Sequence, residues 1–246
     1  MEVHAHAHTA RKKWTHYLWE FIMLFLAVFC GFLAEYFLEH KIEKEKGKEY
    51  AQSFREDLCK DTAIIRENIG NLKKIITAGD SITSMLLNDR THSKDDIKKL
   101  YDYNLASLSG FSVILTDRTS IQLKNAGGMR LITNKKVAEG VVKYWIGMEA
   151  LTRIEASIQD MKWAAREKSY AIFNTKYYSD SSINGKRIIS DDAALMIKDP
   201  LVLIELANRI THVKNLMKGA FINTLKKQQE EADQLIQVID KEYHFK

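Results

Sequence analysis

From Phe21 to Ala34 the chain is apolar at every position, whereas from Phe54 onward apolar residues recur at spacings of three and four. The first pattern suits a helix surrounded by apolar material, the second a helix burying one stripe. The unbroken run, bounded by Glu20 and Glu35, predicts a transmembrane helix over residues 17–38. A span needs about 20 mostly apolar residues, and that stretch supplies them. Tyr17, Trp19, Tyr36 and Phe37 fall where an interfacial aromatic belt belongs. A cleaved signal peptide fits less well: Phe32 stands two places before Ala34, where a small residue would be needed.

The second pattern continues the same helix to about residue 77 through Phe54, Leu58, Thr62, Ile65, Ile69, Leu72 and Ile76. Gly79-Asp80 is expected to break it, with a short helix from Ser81 to Leu87 beyond. Ile97, Leu100, Tyr101, Leu105 and Leu108 mark the inner face of the next helix. "GFSVILTD" is ambiguous between a strand and a buried helical turn. A short helix then stops at Gly127-Gly128, because glycine after a helix end adopts left-handed backbone at least steric cost. A long helix is expected from Asn134 to Tyr177, then a loop with a tight turn at Asn184-Gly185. Asp199 as N-cap and Pro200 at the first helical position open a last helix reaching Tyr243. The predicted fold is all-α: one N-terminal transmembrane helix continuing into an elongated extramembrane helical bundle. Its divisions are a flexible His-rich tail (1–16), the span (17–38) and the bundle (39–246).

Composition adds exclusions more than functions. A net charge of +5, with acids and bases interleaved, leaves no basic stripe of the kind that binds nucleic acid. The two cysteines, Cys30 and Cys59, are too far apart along one helix to bridge, and Cys59 is expected to be a buried thiol. No GxSxG, HExxH or phosphate-cradling glycine loop occurs, so no enzyme is expected and no cofactor is implied. Three weaker sites remain. His4, His6 and His8 offer nitrogen ligands to a transition metal, though in a flexible tail without a carboxylate cage. Lys124, Gly127, Gly128 and Arg130 place cations around glycine backbone and suggest an anion- or ligand-binding turn. Arg130 is equally suited to hold a carboxylate of a neighbouring helix. Glu20 and Glu35 lie about 22 Å apart on a helix, less than the ~30 Å hydrocarbon thickness. At least one therefore meets the membrane boundary, snorkelling to headgroups or pairing with a partner helix. Ala27 and Gly31 supply small residues for close helix approach beside them.

The block "KKWTHYLWEFIMLFLAVFCGFLAEYFLEHKIEK…EYAQSFREDL" resembles the start of a family of uncharacterised single-pass membrane proteins from Bacteroidetes. "TSIQLKNAGGMRLITNKKV" is similar to a motif of related proteins, with Lys124, Gly127 and Arg130 at matching positions. The chain departs from that motif at Ala126, where relatives carry serine, which removes one possible anion donor. The resemblance implies no activity. It implies an inner-membrane protein of a Gram-negative cell with a periplasmic helical domain. Arg11, Lys12 and Lys13 agree in placing the N-terminus in the cytoplasm, while the lysines after residue 40 pull the other way. The expected partners are the lipid bilayer and either a membrane protein or further copies of this chain. The function expected is an accessory or scaffolding subunit; the alternative is a periplasmic ligand-sensing bundle that signals through a partner.

Overall fold

The first helix does not stop where the apolar run stops. In a computed structural model describing residues 14–88, 93–125, 127–183 and 186–245, α1 (Trp14–Leu86) is one piece of 73 residues, about 110 Å long. The remaining elements are α2 (Lys94–Ser107), α3 (Arg118–Asn125), α4 (Lys135–Ile172), α5 (Pro200–Leu216) and α6 (Ile222–Tyr243). A hairpin of β1 (Tyr178–Ile183) and β2 (Lys186–Ile189) lies between α4 and α5. The N-terminal part of α1 is exposed, its best window having a mean hydropathy of 2.3 with 0% of it buried. Among the described residues this is the one helix long and apolar enough to cross a membrane.

From Gly47 onward α1 packs into a bundle whose core has three tiers. At the base, nearest the apolar end of α1, Phe54 and Leu58 meet Val141 and Tyr144 of α4 and Leu235 and Ile239 of α6. In the middle, Ile65 and Leu72 meet Leu151, Ile158, Phe221 and Leu225. At the far end, Ile82 meets Ala165, Ile172, Leu206, Ile210 and Tyr101. This order means that α1 and α4 run the same way while α5 and α6 return beside them. The stripe read from Phe54 to Ile76 is buried at every position. Leu105 is the exception on α2, at 39% exposed.

Four elements differ from the sequence expectation. Gly79-Asp80 does not break α1. Gly79 is buried beside Ile210 and Lys214 of α5, and glycine's helical penalty of about 1 kcal/mol is outweighed by packing on both sides. α4 ends at Ile172 rather than Tyr177. Phe173 bridges Leu195, and the Asn174 N–H donates to Tyr101 Oη at 3.0 Å. The loop after it forms the β1–β2 hairpin, with Ile183 opposite Lys186; Asn184-Gly185 lies outside the described residues. The ambiguous "GFSVILTD" is neither strand nor helix but an extended strap over residues 109–117, returning the chain from the far end to the base. The Asp199 cap is present, its carboxylate accepting from the Leu201 N–H at 2.8 Å. The helix it opens runs to Tyr243 through a π turn at Met217–Phe221.

Candidate functional site

Glu20, Ala27, Gly31 and Glu35 fall within an arc of about 80° on α1, at 100° per residue. All four are exposed, with nothing within 4 Å of a Cβ placed on Gly31. The arrangement is therefore one continuous helix face carrying two acids and two small residues. His16 Nε2 lies 3.2 Å from Glu20 Oε1. His4, His6 and His8 lie outside the described residues, and no group of three metal-ligating side chains occurs among those described.

The glycine turn sits at the base of the bundle, and its predicted ligands have protein partners. Gly127 takes left-handed backbone, φ 63°. The turn that follows, Gly128–Leu131, leans on α1 so closely that a Cβ on Gly47 would lie 2.2 Å from the Leu131 carbonyl oxygen. Arg130 pairs with Glu43 of α1 at 3.4 Å, the neighbouring-helix option. Lys124 Nζ lies 4.6 Å from the centre of the Trp145 ring, and Gly128 is buried against Leu123.

Beneath this turn lies a buried polar junction that the sequence reading missed. Asp57 and Asp61, one helical turn apart on α1, are 2% and 1% exposed. Asp57 accepts from the Thr119 N–H at 3.2 Å, from the Thr119 hydroxyl, and from Arg118 at 3.2 Å. Asp61 accepts from the Thr116 N–H and the Tyr144 hydroxyl, each at 2.7 Å. Burial raises the Asp61 pKa against the opposing pull of these hydrogen bonds. Ser120 accepts from Trp145 Nε1 at 2.8 Å, and Gln228 donates to the Tyr144 carbonyl at 2.9 Å. The sequence around Asp57 and the segment that opens at Thr119 thus meet in space. The signal was present: Asp57 and Asp61 lie on the same helical face as Phe54, Leu58 and Ile65, where a carboxylate must be hydrogen-bonded to be tolerated.

The strap above the junction is held by side chains in place of a β-ladder. On α4, Glu155 accepts from the Val113 N–H at 3.2 Å and Gln159 donates to the Phe111 carbonyl at 2.8 Å. One and two turns further, Lys162 donates to the Ser109 carbonyl and Arg166 to the Leu108 carbonyl. Lys162 is 0% exposed, and burial lowers its pKa to about 8. These are the carbonyls just past the end of α2, where a helix carries partial negative charge and favours cations.

Cys30 and Cys59 are both exposed free thiols, so Cys59 is not the buried thiol expected. No protein-family model, curated protein or solved structure matches the chain.

Proposed function

We propose that the chain is a single-pass membrane protein without catalytic activity, serving as an accessory or scaffolding subunit of a membrane complex. The observation that carries this reading is α1, in which the apolar segment and the bundle's first core helix are the same unbroken helix. A rotation or tilt imposed on the apolar end is thereby passed to the base of the bundle without a hinge. Residues 17–38 then lie in the inner membrane, the N-terminus faces the cytoplasm, and the bundle stands in the periplasm. The face carrying Glu20, Ala27, Gly31 and Glu35 packs on a partner's transmembrane helix, where an acid is better placed than against lipid. The engagement of Asp57, Asp61 and Lys162 with the strap and α3 supports a structural role for the buried ionisable groups.

Purification of the full-length protein from its native membrane in gentle detergent tests the reading. A membrane protein recovered in fixed stoichiometry, and lost on Glu35→Leu or Gly31→Leu, is the expected result. A lone monomer at every concentration contradicts it and favours the ligand-sensing alternative, for which open grooves beside α1 are the structural support.

A further inference from the structure

Two open grooves flank α1 above the middle of the bundle and share Lys73 and Thr77 as their common ridge. The first, about 750 Å³, lies between α1 and the π turn. Its rim carries Lys73, Lys218 and Lys226, its floor Ile76 and Ile222, and Asn215 and Asn223 add amides. The second, about 830 Å³, lies between α1 and α2 and adds Lys74, Lys99 and Arg187. Among the described residues six cations border the pair, against one lining carboxylate, Asp102. The ion pairs nearby are made by other lysines: Lys98 with Asp191, Lys214 with Asp80 and Lys227 with Glu231. Asp80, adjacent on α1, is already matched by Lys214.

The π turn shapes the first groove. Its wider backbone frees carbonyls that side chains then take up: Asn223 donates to Gly219 at 2.7 Å and Thr224 to Ala220 at 2.9 Å. Gly219 faces open space, so nothing in the packing requires a glycine there. Turns of this kind recur at functional sites. Here it sets Lys218 on the groove rim opposite Lys73.

We infer that this cationic double groove is a docking surface for an acidic, extended polypeptide segment of a partner protein. The inference deepens the subunit reading by naming a docking face on the bundle. Charge complementarity selects an anion, and apolar residues among the lysines suit a peptide alternating acidic and apolar side chains. A nucleic acid would want stacking aromatics, and Tyr103 is the sole aromatic among the described residues lining either groove. Lipid headgroups are out of reach: Lys73 lies 35 residues beyond Leu38 on one helix, about 52 Å away.

The test uses full-length protein in lipid nanodiscs and a fluorescently labelled oligo-glutamate peptide, read by anisotropy at low and raised salt. Inorganic phosphate is run as competitor and anionic vesicles as a separate probe. Lys73→Glu, Lys218→Glu and Lys226→Glu are combined in one variant. A control with the same change in net charge carries Lys60→Glu, Lys135→Glu and Lys136→Glu. Circular dichroism and thermal melting establish that both variants are folded. The expected result is saturable, salt-sensitive binding, weakened about tenfold or more by the groove variant and little changed by the control. Absence of peptide binding, equal loss in both variants, or saturable binding of phosphate or vesicles alone overturns the inference. A partner co-purified from native membranes alongside a negative result here would keep the subunit reading and remove only this face from it.

Discussion

Asp57 and Asp61 are carboxylates inside a hydrophobic tier, and their geometry explains why they are tolerated. A buried acid costs several kcal/mol unless its oxygens are satisfied, and here backbone and hydroxyl donors satisfy both. Asp61→Ala leaves the Thr116 N–H and the Tyr144 hydroxyl unpaired and should cost about 2–5 kcal/mol in chemical denaturation. Asp61→Asn keeps an acceptor for Thr116 and an amide that the phenol oxygen accepts from, so its cost should be less than half as large. Equal costs for the two variants would mean that the hydrogen bonds are not what holds the site.

Lys162 gives this scale its pH dependence. Its folded pKa is about 8 against an ordinary 10.5, so between those values the unfolded chain holds a proton that the folded chain has released. Stability from this group therefore rises with pH across that window. Burial also pushes the Tyr144 phenol upward. The unfolded chain loses that proton first, so above about pH 10 this second group works in the opposite direction. The difference in melting temperature between wild type and Lys162→Met should grow in favour of wild type from about pH 8 to pH 10. A flat difference would show that the lysine is not desolvated in the folded protein.

At the scale of elements, what was legible is what period and caps encode. The buried stripe of α1, the Asp199-Pro200 start and the apolar run all follow from spacing or from one cap. What escaped the sequence was decided by contacts distant along the chain. Gly79 stays helical because α5 covers it, and α4 stops early because Tyr101 captures the Asn174 N–H and ties it to the Ala194 carbonyl. The strap was unreadable for the same reason. Its backbone is satisfied by Glu155, Gln159 and Lys162 of α4 and by Asp61 of α1, with Arg166 on the Leu108 carbonyl just before it, and these residues carry no local signature. Combined Glu155→Ala and Gln159→Ala should therefore speed amide exchange in residues 109–117, each loss contributing about 1 kcal/mol, while the base tier stays protected. Uniform acceleration across the bundle would contradict a strap held from α4. The turn motif was legible as a motif and misleading as a site. Gly127 supplies left-handed backbone and Gly128 packs against Leu123, while the motif's cations face Glu43 and Trp145.

At the scale of the molecule, one helix unites what the sequence divides at residue 38. The bundle's three tiers are strung along it, and the apolar segment is its other end. Rigid coupling requires that helix to be continuous through the charged stretch between residues 39 and 46, none of which is buried. The chain carries its own reporters, since Cys30 and Cys59 are both free and exposed on α1, one in each part. Spin labels on these two thiols, in full-length protein reconstituted in nanodiscs, should give one narrow distance distribution centred near 44 Å, the length of 29 helical residues. A broad or markedly shorter distribution would reveal a hinge between the apolar segment and the bundle and contradict the rigid coupling on which the proposed function rests.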